Sequence, residues 1–349
     1  MNRLASLLVT LCVCAIPSVV LGQAPAQGFA APQGDVVARD VREMYDRGLR
    51  FLQKTQTEDG TWTSSGERGA GTTGLGLLAF LASGEDPNFG PYSNAIRKSV
   101  RGIIKSQSKS TGYMGPSMYH HGFALLALSE AYGAVDETNL WSGHQHANQR
   151  RIGEALELGV RCAVTSQKKN PLGAWRYSPN TRDADTSVAG AVLMGLLAAR
   201  NAGIEVPDDS IDRAIKYFTS MTGGNGIVGY SGGLSGFGES IARSSIACLV
   251  YAIAKRKDLK QYEAVKKYLI TNVSEGSGWV EYARYYRAQA LFQADVEAWE
   301  KWNRGLIRKL KSIQNADGSF QGDLGPANST SMALLALALN YRFLPIYER

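Results

Sequence analysis

Acids, imidazoles and phenols collect at a few places in this 349-residue chain, each beside a long apolar run. Asp183 and Asp185 stand ahead of "TSVAGAVLMGLLAARNAG", and Tyr119, His120 and His121 ahead of "GFALLALSEAYG". Glu239 and Arg243 flank the start of "SSIACLVYAIAK", and Tyr282, Tyr285, Tyr286 and Arg287 lead into "RAQALFQA". A carboxyl kept protonated by an apolar setting is a general acid, which makes Asp185 and Asp183 the candidate acids and His121 a candidate imidazole catalyst. The candidate ligand-binding residues are Tyr119, His120, Glu239, Arg243, Tyr282, Tyr285, Tyr286 and Arg287. Aromatic faces favour a cation or a greasy isoprenoid, and they equally stack on sugar rings. Tyr, His and Arg together also fit proton abstraction from an acidic polysaccharide. Hydrolysis of a glycoside needs two carboxylates about 5–10 Å apart, for which Asp185 and Glu239 form the candidate pair. Each residue also has a structural reading. Asp185 is a natural cap for a helix opening Asp-Thr-Ser, the histidines pack at a helix end, and the tyrosines form a core stripe.

What must position these residues is a repeat. Polar, amphipathic segments such as "VREMYDRGLRFLQKT" and "SIDRAIKYFTSM" alternate six times with segments that are small and apolar on nearly all sides. A helix apolar all round is buried on both faces, so the second kind forms an inner layer and the first an outer one. Between them lies a glycine-aromatic turn, with Trp62, Tyr113, Trp175, Tyr230, Trp279 and Phe320 as its aromatics. Repeated pairs bury a continuous core between neighbours and escape the size limit of a single core. The expectation is one all-α domain over 35–349, six helix pairs closed into an (α/α)6 toroid. Inner helices of a closed ring run one way, so their amino termini gather at one mouth. Glu67, Arg68 and Asn328 join the mouth candidates on that ground.

Before the repeat, Arg3 and the apolar stretch "LASLLVTLCVCAIPSVVLG" read as an export signal over 1–22, followed by a flexible lead over 23–34. The protein is expected outside the cytoplasm, periplasmic or secreted, with no stable membrane span once the signal is cleaved. Cys162 and Cys248 then remain, as a single bridge or, in preference, as two buried thiols. The formal charge of +7 is spread over outer helical faces such as Lys255-Arg256-Lys257 and is not interleaved with aromatics. That pattern excludes a nucleic-acid groove. His144 and His146 lack further ligands nearby, so no metal and no cofactor is expected.

The stretch "RGLRFLQKTQTEDGTW", Arg47 to Trp62, and its echo "LKSIQNADGSF" resemble the QW motif of squalene and terpenoid cyclases. The chain resembles the prenyltransferase and squalene-oxidase repeat superfamily, whose fold is the (α/α)6 toroid. The resemblance implies an isoprenoid or other apolar ligand in the central cavity, and, for an enzyme, terpenoid cyclase-like chemistry. Protonating cyclases carry a D-x-D-D-T-A box. Aligned on Thr186, Asp185 matches its last acid, Ala184 stands at the proton donor and Asp183 precedes it. The zinc site of protein prenyltransferases has no counterpart, since neither Cys162 nor Cys248 follows an Asp by two residues. A non-catalytic binding module of the cell envelope and a carbohydrate-active toroid, a lyase or glycosidase, remain the alternatives. The partner is a small apolar or glycan ligand, and the oligomeric state is open.

Overall fold

The computed structural model describes residues 39–64, 67–146, 148–233, 238–272, 278–341 and 344–347. The expected export signal and lead lie outside these residues. The outer layer is α1 (Arg39–Thr55), α3 (Ser93–Ser106), α5 (Ile152–Lys169), α7 (Asp208–Ser220), α9 (Lys260–Thr271) and α11 (Val296–Ile313). The inner layer is α2 (Ala70–Leu81), α4 (Met118–Ala131), α6 (Thr186–Asn201), α8 (Ile241–Ile253), α10 (Val280–Ala294) and α12 (Gly325–Ala338). A two-residue antiparallel pair, β1 (Thr63–Ser64) with β2 (Glu67–Arg68), decorates the first connection. Each inner helix packs on the next, and α12 returns to α2, closing the (α/α)6 toroid. No helix among the described residues is long and apolar enough to cross a membrane.

The sequence periods explain the layers. In α1 the buried residues are Val41, Met44, Tyr45, Gly48, Leu49 and Leu52, the single stripe of a helix that meets its partners on one side. In α4 every residue from His121 to Ala131 is buried. The same holds for α6 from Thr186 to Ala199 and for α12 from Ala327 to Ala338. Because even their ring-facing sides are dry, the centre of the toroid is filled beyond the second turns. Leu344 and Ile346 are buried near the other end, where the Ile346 N–H lies 3.5 Å from the Glu130 carboxylate close to the α4 carboxyl terminus. Cys162 and Cys248 are separate, buried thiols.

The glycine turns hold unit to unit. Gly60 adopts φ +80°, and a Cβ there would stand 2.0 Å from the Lys98 carbonyl oxygen of α3. Gln56 fixes the approach: its Nε2 donates to Gly60 O within the turn and to Ala95 O in α3, at 3.2 and 3.0 Å. Gln107 repeats this with Gly112 O and Ala155 O, and Gln167 with Gly173 O and Ser210 O. Gln314 closes the ring, donating to Gly318 O and to Met44 O of α1. Each glutamine thus joins its own turn to the next outer helix.

The turn aromatics need a correction in register. Two residues after the docking glycines stand Trp62, Met114, Trp175, Val228 and Phe320, all nearly inaccessible to solvent. Trp62 and Trp175 also donate their indole N–H to Leu52 O and Ala163 O. Tyr113 and Tyr230 are therefore not the plugs of units two and four. Trp279 follows Gly278 directly and is 56% exposed, so unit five presents its aromatic to solvent.

Gly318, at φ +92°, would place a Cβ 2.3 Å from Arg47 O, whereas Gly305 in α11 has no atom within 4 Å of that position. Gly318→Ala is expected to lower unfolding stability by about 1–3 kcal/mol. Gly305→Ala is expected to raise it by roughly 0.5–1 kcal/mol. Denaturant titration of the two variants measures the opposite signs.

Candidate functional site

The first turns of all six inner helices open onto one cavity of about 1090 Å³. Its walls take Thr72 and Leu75 from α2, Tyr119, His120 and Phe123 from α4, and Ser187 from α6. Ile241 and Arg243 come from α8, Tyr282 from α10, and Asn328 and Met332 from α12. The connections add Tyr177, Tyr230, Glu239, Trp279 and Leu324, and the end of α9 adds Tyr268 and Asn272. Of the residues singled out from sequence, Tyr119, His120, Glu239, Arg243, Tyr282 and Asn328 line this space. The side chains of Glu67 and Arg68 lie outside the described residues.

A bar of aromatic side chains crosses the cavity. Tyr119 on α4 and Tyr282 on α10 belong to opposite members of the ring, yet their hydroxyls meet at 3.2 Å. One turn deeper, Phe123 on α4 lies 6.2 Å from Tyr285 on α10, centroid to centroid. Phe123 also stacks beneath Tyr119 at 6.4 Å, and Tyr286 meets Tyr282 edge-on at 4.9 Å. The bar leaves two lobes. On the α12–α2 side, Leu75, Leu324 and Met332 make the wall apolar, with Thr72 and Asn328 among them. On the α6–α8 side the wall is phenolic and polar, with Tyr177, Tyr230, Ser187, Glu239 and Arg243.

Electrostatics keep the aromatic wall neutral. Burial pushes the hydroxyls of Tyr119, Tyr230 and Tyr282 above the ordinary phenol range. Tyr177 and Tyr230 share a hydrogen bond of 2.6 Å. Tyr268 reaches the Glu239 carboxylate at 3.4 Å, and burial followed by that charge raises its phenol as well. Arg243 spends its guanidinium on the chain: Nε donates to Val228 O at 2.9 Å and Nη2 to Gly238 O. Its charge centre stands 5.9 Å from the Tyr230 ring. His120 accepts the Gly71 N–H at Nδ1, 3.1 Å, joining α4 to the first turn of α2.

The remaining candidates sit behind the wall. Asp185 is inaccessible to solvent and caps α6, its Oδ1 accepting from Val188 N at 2.8 Å. Its Oδ2 has no hydrogen-bond partner, with Arg176 Nε at 3.9 Å. A helix amino terminus by itself lowers a carboxyl's pKa. The reverse holds: burial raises it to about 6, outweighing the Val188 N–H and then Arg176. Asp183 is exposed and pairs with Arg176 while accepting from Ser231 at 3.3 Å. Arg176 lies 5.6 Å from both the Tyr177 and Tyr230 rings. The neighbouring Thr186 ties α6 to unit four, through Gly229 O and Tyr230 O. Asp183, Asp185 and Thr186 thus anchor the pair Tyr177–Tyr230 rather than face the cavity.

His121 is also away from it. Nδ1 accepts from Met114 N at 3.1 Å and Nε2 meets Gly159 O at 3.0 Å, which fixes a neutral tautomer. Burial lowers its pKa to about 4. Tyr285 and Tyr286 are buried in α10, and Arg287 donates to Leu269 O at 3.2 Å and to Asn272 O. These three were placed ahead of the inner helix; α10 instead begins a turn earlier, at Val280. His144 and His146 lie in a connection, and no cluster able to hold a metal occurs among the described residues.

Sequence reasoning missed Phe123, Tyr177, Tyr268 and Trp279 as lining residues. Phe123 was within reach, because it follows Tyr119 by one helical turn. Trp279 had a signal too, since it follows its glycine directly where the buried aromatics follow theirs after one more residue.

No protein family and no curated protein matches this chain. Solved structures do match its fold. The α-1,6-mannanase GH76A of Salegentibacter sp. HEL1_6, as an inactive variant in complex with α-1,6-mannotriose, superposes with a TM-score of 0.63 at 9% identity, covering 86% of this chain and 99% of that one. The type II terpene cyclase MstE of Scytonema, in complex with geranylgeranyl dihydroxybenzoate, gives 0.60 at 13% identity over 87% and 98%. A D-mannose isomerase gives 0.59 at 12% identity over 87% and 96%. The fold is thus one shared by glycosidases and terpene cyclases.

Asp185 makes stability depend on pH in a definite direction. Its folded pKa of about 6 exceeds the unfolded carboxyl value, about 3.9. Between the two, the folded chain holds a proton that the unfolded chain has lost, so this group adds stability as pH falls from about 6 to about 4. Asn keeps the cap and removes the charge. Asp185→Asn is expected to exceed the native protein in stability by on the order of 1–3 kcal/mol above pH ~6, with the gap shrinking towards pH ~4. Parallel unfolding curves across this range measure it, and a pH-independent loss of stability would contradict it.

Proposed function

We propose that the cavity binds an amphipathic small molecule, with an isoprenoid or other apolar chain in the α12–α2 lobe and a polar end across the tyrosine bar. The observation that carries this reading is the division of one cavity into an apolar lobe of Leu75, Leu324 and Met332 and a phenolic, polar lobe beside α6 and α8. The volume of about 1090 Å³ stands at the upper end of small-molecule sites, roughly 300–1,000 Å³. Geranylgeranyl dihydroxybenzoate, bound by the terpene cyclase MstE, is a molecule of this kind.

Binding alone is proposed. A protonating cyclase needs its acid against the substrate alkene, and here Ala184 occupies the donor's place while Asp185 lies behind the wall. A glycosidase needs two carboxylates facing the ligand, and among the described lining residues Glu239 is the one carboxylate.

Each buried methylene contributes about 0.8 kcal/mol, or roughly three- to fourfold in affinity. Titration of tri(ethylene glycol) alkyl ethers, below their micelle concentrations, is expected to show that increment from eight to about twelve carbons. Met332→Gln is expected to flatten the increase. Affinity independent of chain length would overturn the reading. Incubation with squalene is expected to yield no cyclic product by mass spectrometry, and a product lost in Asp185→Asn would restore the cyclase.

A further inference from the structure

We infer that the polar lobe beside α6, α8 and α10 is built for an uncharged sugar ring, so that the ligand is a glycosylated apolar chain. This rests on the amphipathic-ligand reading and adds the chemistry of the head. The residues that carry it are Tyr177, Tyr230, Glu239, Tyr268 and Asn272, with Trp279 at the start of α10, all on the cavity's wall or rim.

Charge decides the class first. Among the described lining residues, the lobe holds one carboxylate, Glu239, and one cation, Arg243. An anionic head would meet the exposed Glu239. A cationic head would meet Arg243 and, behind the Tyr177–Tyr230 pair, Arg176. With one charge of each sign the lobe carries no net charge that selects an ionic head, and a neutral head meets neither repulsion.

Surface chemistry decides the rest. The large aromatics of the bar beneath are buried or half-buried, whereas Tyr177 is 46% exposed and Trp279 56%. Their faces are flat and apolar, suited to the C–H face of a pyranose ring. Beside them stand groups that accept and donate along the ring's edge. Glu239, oriented by the Tyr268 hydroxyl at 3.4 Å, accepts from vicinal hydroxyls, and the Asn272 amide both donates and accepts. A few polar groups fixed around an apolar platform are how a pocket selects a polyhydroxylated ligand.

Trp279 is also held in place against local preference. Its φ is +49°, in the left-handed region that a bulky side chain rarely adopts. The Asp323 carboxylate accepts its backbone N–H at 2.8 Å. Backbone strain that the surroundings maintain is a mark of a functional position. Here its effect is to set an indole on the rim rather than in the core, where units one and three put theirs.

The test uses the full mature chain and amphiphiles sharing a twelve-carbon tail, titrated calorimetrically below their micelle concentrations. The heads are glucose, galactose, mannose, tri(ethylene glycol), sulfate and trimethylammonium. At least one glycoside is expected to bind about tenfold or more tightly than the glycol ether, since a site built for hydroxyls rejects an analogue lacking them. Trp279→Ala and Glu239→Gln, both at exposed positions, are each expected to abolish that preference, bringing the favoured glycoside to the affinity that the glycol ether has for the same variant. Glycosides that bind no better than the glycol ether, with tail-length dependence intact, would overturn the sugar head and leave the amphipathic reading standing. A preference for sulfate or trimethylammonium would also overturn it. Loss of tail-length dependence for every head would instead overturn the reading beneath it.

Discussion

Everything in this structure depends on the seat of one unit's turn on the outer helix of the next. Gly60 on Lys98, Gly112 on Leu158, Gly226 on Ala264 and Gly318 on Arg47 put a bare Cα against a carbonyl where no side chain fits. Gln56, Gln107 and Gln314 lock three of these seats, and Gln167 the turn at Gly173, by donating at once to their own turn and to the neighbouring helix. These bonds are buried or half-buried, and breaking one leaves a carbonyl and an amide without partners, which costs more than the bond itself contributes. The ring therefore closes with a set curvature, and that curvature brings α4 and α10 near enough for Tyr119 and Tyr282 to meet.

Burial governs the chemistry of the site as firmly as it governs packing. Asp185 receives a helix N–H and has a cation near by, and its carboxyl is still raised, because desolvation is the larger effect. His121 shows the same physics with the opposite sign. Both groups look reactive on paper and are embedded in the frame. What faces the cavity, among the described residues, is a set of neutral phenols with one carboxylate, one tied-down guanidinium and the His120 imidazole that accepts from Gly71.

The fold was legible because its signals are periodic. The alternation of striped and all-apolar segments is repeated six times, and the match of Gln56-Asp59-Gly60-Trp62 with Gln314-Asp317-Gly318-Phe320 marks both ends of the ring. The site was legible only in part. Tyr119, His120, Glu239, Arg243 and Tyr282 were found because they stand at inner-helix starts, a position that sequence reveals. Which way a residue in the first turn points depends on helix phase within the ring, and local pattern does not encode it. Tyr285 and Tyr286 were thus selected with Tyr282, although one turn deeper they belong to the packed centre. Tyr177 and Tyr268 were invisible for a different reason, since they reach the cavity from connections and from the end of an outer helix.

The filled centre of the toroid has a consequence for traffic. The inner helices are dry on every side beyond their second turns, so whatever enters the mouth leaves by it. An amphipathic ligand of the kind proposed, its chain in the α12–α2 lobe, would be corked by its own head, with no second molecule able to push it out from behind. Its departure would then be a first-order event timed by the tyrosines that part to release it, and crowding the solution with rival ligand would not hasten it.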